Sequence, residues 1–402
     1  MRYTLLAFLC LITLVAYLQR SALGVPSKAI EGELGLTPEA MGVVWFAWYA
    51  GYAAFQLPAG WVADRLGSKP ALLLFAVAWS ALTAVVGLAG GFVGLVLLWG
   101  LMGAAQAGIF PCATKAVGAT FPKTEQGLAS GALACFMAGG AALSQEVTGR
   151  LFGPLTWQAV LVVYAVPGLV WALLFAVAVP RPDAPRPVVK HEPFDWTLLV
   201  ADRDMVLLCL QQLTRAGATA LFFTWFPRVL QETKGVTPAE SGSLATWPLL
   251  AGIVGALVGG SASDWLLRRT GREKLSRCGL SAVCMGVAAV SAVAAYFVGT
   301  AVEVVVLLSV AAFCAYVAGP AAYAAALSMG GTRVAIVFAT MNMAGNVGAG
   351  LFPYAAGRLV GAAGDWNGVY LLFGGMCAGA GVCWVFLNPA RTLYEEPTCP
   401  PA

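Results

Sequence analysis

Of the 402 residues, 60% are hydrophobic and only 10% are charged, with 23 basic and 19 acidic side chains giving a net charge of +4. A water-soluble fold with that balance would present a mostly apolar surface and aggregate, and a β-barrel would need short alternating segments. The basic residues sit at the edges of apolar runs rather than in one patch, so no nucleic-acid partner is expected and the chain reads as a polytopic α-helical membrane protein, with the lipid bilayer as its surroundings.

The N-terminal apolar stretch, Leu5 to Leu18, has the look of a secretory signal. It runs on through Gln19 and Arg20 without a small-residue cleavage site, so it is taken as the first span. Twelve spans follow from hydropathy and length, at roughly 3–27, 38–63, 70–89, 92–118, 127–152, 156–179, 204–230, 238–266, 276–298, 302–328, 334–359 and 367–390. Between the sixth and seventh, the charged stretch that opens Pro180-Arg181-Pro182 and continues through Pro185, Pro187 and His191 to Arg203 cannot begin as a helix. The expected layout is therefore an N-terminal bundle over 1–180, a linker over 181–203 and a C-terminal bundle over 204–402. Placing both termini in the cytoplasm puts fifteen Lys and Arg on the inner side against five outside, which sets the orientation in an inner membrane.

The two halves echo each other. Gly60-Trp61-Val62-Ala63-Asp64-Arg65-Leu66-Gly67 after span two returns as Gly260-Ser261-Ala262-Ser263-Asp264-Trp265-Leu266-Leu267-Arg268 after span eight. Upstream at the same offset, Leu36-Thr37-Pro38 matches Val236-Thr237-Pro238, so each copy starts a long helix with a Thr cap and a Pro at the first helical position. Glycines such as Gly42, Gly51, Gly255, Gly259, Gly345 and Gly348 lie inside spans, where small residues let helix backbones approach in lipid. Ten scattered cysteines, without CxxC or Cys/His grouping, read as small packing residues; neither a metal nor a cofactor is expected.

Two charges remain inside the membrane. Arg20 and Arg215 fall in spans one and seven, equivalent helices of the two halves, and an arginine at mid-bilayer costs about 2.5–3.5 kcal/mol even on the lenient insertion scale. The acids nearest the membrane region, Glu146 and Glu303, stop short of the centre in this span map. Tyr17 lies one turn before Arg20, and Gln211 and Gln212 one turn before Arg215, so each set shares a helix face. Guanidinium forks match carboxylate and phosphate oxygens, which makes an anion site the expected use. Gln106, Asn342 and Asn346 are candidate neutral partners, and Phe110 and Trp225 candidate apolar walls.

Two six-span halves with Gly-x-x-x-Asp-Arg-x-Gly between spans two and three resemble the major facilitator superfamily. Within it the chain looks most like the anion:cation symporters, the group of sialin and the sugar-acid transporters. Tyr17-Leu18-Gln19-Arg20-Ser21, Gln56-Leu57-Pro58-Ala59-Gly60-Trp61, Gly108-Ile109-Phe110-Pro111, Phe121-Pro122-Lys123, Thr224-Trp225-Phe226-Pro227 and Asn342-Met343-Ala344-Gly345-Asn346 carry that likeness. The resemblance implies an all-α fold of twelve transmembrane helices in two pseudo-symmetric six-helix bundles, working as a monomer by rocking about a central site. It implies that Gly60, Asp64, Arg65, Gly67, Asp264 and Arg268 gate the inner side. It also marks departures: the acids such proteins carry in spans one and four are matched by Gln19 and Gln106, and a second span-four arginine by Trp99. The expected function is transport of a small organic anion, a carboxylate or sugar acid, by exchange or facilitated diffusion rather than proton symport. The alternatives are an organophosphate:phosphate-type exchanger, favoured by the span-one and span-seven arginine pair, and a membrane ligand sensor that does not transport. No enzyme activity is expected, since no nucleophile stands beside a base at mid-membrane.

Overall fold

A computed structural model describes residues 2–179, 201–330, 334–389 and 391–393. Almost all of the 181–203 linker, His191 included, lies outside these residues, as do the side chains of Asp64 and Phe110. In chain order the helices are α1 (Arg2–Arg20), α2 (Ser27–Leu34), α3 (Pro38–Leu66), α4 (Ser68–Val86), α5 (Phe92–Gln106), α6 (Ile109–Thr120), α7 (Lys123–Leu151) and α8 (Trp157–Ala178). After the linker come α9 (Arg203–Ala220), α10 (Phe226–Lys234), α11 (Pro238–Thr270), α12 (Leu280–Phe297), α13 (Ala301–Gly330), α14 (Val334–Ala363) and α15 (Gly368–Phe386). Among the described residues, eight helices are long and apolar enough to cross a bilayer, and the shorter α5 is equally apolar.

The start signals act as their residues dictate. The Thr37 hydroxyl accepts from the Ala40 N–H at 3.2 Å, with Pro38 as the first helical residue. In the repeat, Thr237 and Glu240 exchange bonds, Thr237 Oγ1 accepting from the Glu240 N–H at 3.3 Å and Glu240 Oε2 from the Thr237 N–H at 2.9 Å. Three expected spans are interrupted. Span one ends its helix at Arg20 and continues through turns to the short α2. Span four breaks between α5 and α6, where Gly108 has no side chain because the Phe75 ring occupies that place. Span seven passes from α9 through a tight turn at Leu221–Phe223 into α10, which has Pro227 in its first turn.

The chain packs as two compact units. The first comprises Met1–Lys190, Leu221–Leu250 and Pro353–Trp366. In it α3 packs along α5, α1 along α7, and α4 against α8. The α3–α5 contact is backbone on backbone: a Cβ at Gly51 would overlap the Gly100 carbonyl, and one at Gly103 the Trp48 carbonyl. Where α8 ends, the Lys69 ammonium donates to the carbonyls of Ala176 (2.8 Å) and Val179, placing a cation at the negative helix end. In the second unit, made of His191–Ala220, Ala251–Phe352 and Asn367–Ala402, α12 packs on α13 and α15, and α9 on α15.

A buried charge cluster holds α2 to α10 within the first unit. Arg228 and Glu31 side chains are each 7% exposed, and Arg228 Nη2 donates to Glu31 Oε2 at 3.0 Å. Arg228 Nη1 also lies 3.0 Å from Glu232 Oε1, which Lys28 reaches at 2.9 Å, and the Trp366 ring covers the guanidinium at 5.2 Å. Glu31 stands between the first and second spans. Burial pushes its carboxyl up to about 7, with Glu232 adding and Arg228 and Lys28 opposing. Burial also works against the charge on Glu232, but hydrogen bonding from Lys28 and the charge of Arg228 hold its carboxyl below the ordinary range.

Two outcomes follow from this packing. Gly103→Val forces α3 and α5 apart and lowers stability by about 1–3 kcal/mol, whereas Gly139→Ala, where a Cβ meets nothing within 4 Å, leaves the melting temperature unchanged; thermal unfolding of the two purified variants checks this. Because the Glu31 carboxyl binds its proton more tightly in the folded state, its contribution is full below the ordinary value of 4.5 and is lost as pH rises through about 7. That rise corresponds to about 3 kcal/mol, so melting temperature falls across this window, and Glu31→Gln flattens the fall; an unchanged slope in the variant contradicts it.

Candidate functional site

Arg20 closes α1, and its guanidinium is surrounded by rings rather than by acids. The guanidinium carbon lies 3.9 Å from the Trp48 ring centre, 4.8 Å from Tyr49, 4.9 Å from Tyr17 and 5.9 Å from Phe223. Trp48 and Tyr49 come from α3, Tyr17 from the preceding turn of α1, and Phe223 from the tight turn before α10. No carboxylate of the described residues lies within ion-pair distance of Arg20. A desolvated guanidinium gains about 2 kcal/mol from such a ring face, which holds it in place without cancelling its charge. Beside it is a small cavity lined by Arg20, Trp45, Trp48, Tyr49, Trp99, Phe223 and Thr224.

Gln19 and Gln106, the neutral replacements, are both buried in helix packing. Gln19 Nε2 donates to the Tyr164 carbonyl at 2.7 Å and stands 3.5 Å from Ser80 Oγ; Gln106 Nε2 donates to the Ala16 carbonyl at 3.2 Å. They join α1 to α8 and to α5. Trp225 is likewise engaged, donating to the Pro353 carbonyl at 2.9 Å and meeting Trp366 edge-on.

In the second unit Arg215 on α9 is 6% exposed and also has no acid within ion-pair distance among the described residues. Its Nη2 donates to Gln212 Oε1 at 2.9 Å, and its Nε is buried without a partner. Gly319 on α13 lies opposite the guanidinium, and a Cβ there would make an ordinary contact with Nη1 at 3.5 Å. Gly345 of α14 faces Gln212, and Gly348 sits on the Leu213 carbonyl. Asn346 Nδ2 donates to the Asn342 carbonyl at 3.0 Å on the same helix, and Gln211 Nε2 to the Leu208 carbonyl at 3.0 Å, leaving Gln211 Oε1 buried and unpaired. The polar residues singled out in the sequence thus fall into two sets, Tyr17, Gln19, Arg20 and Gln106 in the first unit and Gln211, Gln212, Arg215, Asn342 and Asn346 in the second.

Of the turn residues, Gly67 has φ +85°, a conformation that favours glycine, while a Cβ at Gly60 would meet nothing. Arg65 is exposed and stacks on Trp61 at 3.9 Å. In the other copy Asp264 and Arg268 are exposed, and it is Arg269 that lies over Trp265, at 5.2 Å. What the sequence reading missed is the aromatic wall. Trp45, Trp48, Tyr49 and Tyr52 recur at three- and four-residue steps in span two, a stripe that reads as ordinary packing until Arg20 is found against it.

The Major Facilitator Superfamily profile matches residues 9–325 and 208–398. The chain is 28% identical over 415 aligned positions to the probable sulfoacetate transporter of Cupriavidus necator, covering 98% of this chain and 95% of that protein. It is 26% identical to the hexuronate transporter of Bacillus subtilis, covering 97% of each. Its fold matches the crystal structure of a bacterial homolog of the human lysosomal transporter Spinster, in an inward-facing and occupied conformation, with a TM-score of 0.77 at 18% identity, over 96% of this chain and 94% of that one. With that fold come twelve transmembrane helices in two six-helix bundles, and the chain belongs to the major facilitator superfamily of membrane transporters.

Proposed function

We propose that this protein carries a small organic anion, a carboxylate or sugar acid, across the inner membrane by rocker-switch alternating access. The observation that carries the reading is a pair of guanidinium groups, Arg20 and Arg215, both held within the membrane region and neither matched by an acid among the described residues. A positive charge kept in such surroundings is stabilised by an anion that arrives from solution. The relatives named for sulfoacetate and hexuronate support an organic anion as cargo. Tyr17, Gln106, Gln211, Gln212, Asn342 and Asn346 complete the proposed site, with Gln19, Phe110 and Trp225 shaping its surroundings. The halves are residues 1–180 and 204–402, both termini face the cytoplasm, and Asp64, Arg65, Gly67, Asp264 and Arg268, with Gly60, gate the inner side. Gln19 and Gln106 are amides bound to main-chain carbonyls and take up no proton, which favours exchange or facilitated diffusion.

Uptake into proteoliposomes checks both parts. Arg20→Ala abolishes substrate binding, at least about a hundredfold, through the loss of charge-assisted bonds, whereas Arg20→Lys weakens it and keeps residual transport. An imposed inward proton gradient leaves the accumulated level unchanged; gradient-driven accumulation contradicts the exchange reading, and unimpaired binding by Arg20→Ala contradicts the site.

A further inference from the structure

Gln212 precedes Arg215 by one turn of α9 and is only 3% exposed. Its Oε1 accepts from Arg215 Nη2 at 2.9 Å, which among the described residues is the hydrogen bond that the guanidinium makes, while the Arg215 Nε–H is buried without a partner. The amide has a seat of its own on α14. A Cβ at Gly345 would come to 3.0 Å from Gln212 Cγ and 3.2 Å from its Nε2, so the main chain of α14 lies directly against this side chain. One turn further along, Gly348 sits so close to the Leu213 carbonyl that a Cβ there would overlap it. Contact at this range leaves Gln212 little freedom to turn away from the group it holds.

The chemistry of the holder matters as much as its place. An arginine has several rotatable bonds, and a fork that must be ordered only when cargo arrives gives up affinity to that ordering. An amide oxygen takes an N–H without bringing a counter-charge, so Arg215 is fixed and stays cationic; a carboxylate of the same reach would pair it off. We infer that Gln212 is a positioning residue: seated against Gly345, it holds the Arg215 guanidinium ready for an incoming oxyanion and acts on the cargo only through that arginine. This rests on the anion-carrier reading of Arg215 and gives Gln212 its part in it.

Ligand-induced thermal stabilisation of the purified full chain tests it, with succinate and D-glucuronate as probes. Gln212→Met keeps the length of the side chain and removes the acceptor, and it raises the half-saturating concentration of both probes by the same factor, about tenfold. Gln212→Glu keeps an acceptor and adds a counter-charge, and binding falls at least about a hundredfold. Gly345→Ala crowds the amide and costs about threefold, a loss that disappears in the Gln212→Ala background because the two residues act as one unit. Unequal losses for the two probes in Gln212→Met put the amide on the cargo itself and overturn the inference, as does undiminished binding by Gln212→Glu. The same loss from Gly345→Ala with and without the Gln212 side chain overturns the seat. If Arg215→Ala abolishes binding and Gln212→Met leaves it unchanged, the carrier reading stands and the positioning role fails; if neither probe stabilises the wild-type chain, both fail.

Discussion

An uncompensated guanidinium in a membrane protein is the constraint from which the rest of this structure follows. Arg20 costs energy wherever it is buried, and the chain answers that cost with π-electrons rather than with a carboxylate. The choice matters because a carboxylate would cancel the charge, while a ring face holds the arginine in register and leaves the charge in place. Arg215 is treated in the same spirit by different means. A neutral amide, Gln212, takes one of its N–H groups, and Gly319 lies opposite the head group.

The charged groups at the span ends and between spans are handled in the opposite way. Arg228, Glu31, Glu232 and Lys28 neutralise one another under the Trp366 ring, joining segments far apart in the sequence. Charge is cancelled in this cluster, while Arg20 and Arg215 have no acid at ion-pair distance among the described residues. Gln19 and Gln106 fit the same division, since each amide is spent on a main-chain carbonyl of a neighbouring helix.

Much of the fold was legible because its signals are local. The Thr-Pro starts of α3 and α11 follow from capping chemistry that needs only four consecutive residues, and the two central arginines stand out because charge is so rare in the spans. The pairing of Arg215 with Gln212 was legible too, since one helical turn separates them. The contact of Arg228 with Glu31 was not: they are 197 positions apart in the sequence, and each alone looks like a charge at a membrane edge. The aromatic wall stayed hidden for a related reason. A stripe of tryptophan and tyrosine at helical spacing has the same pattern whether it faces a neighbouring helix, lipid or a cation. The interruptions at Arg20, Gly108 and Leu221 were also invisible to hydropathy, which averages over a break of a few apolar residues.

The glycines of α3 and α5 acquire a second meaning from what sits beside them. Gly100 is the neighbour of Trp99, and Gly103 rests on the carbonyl of Trp48 itself, so the spacing of these two helices is also the spacing of the indoles they bear. The width of the cavity is thus set by glycines that do not line it. A single methyl group added along that seam would push the two helices apart and with them the rings that line the cavity.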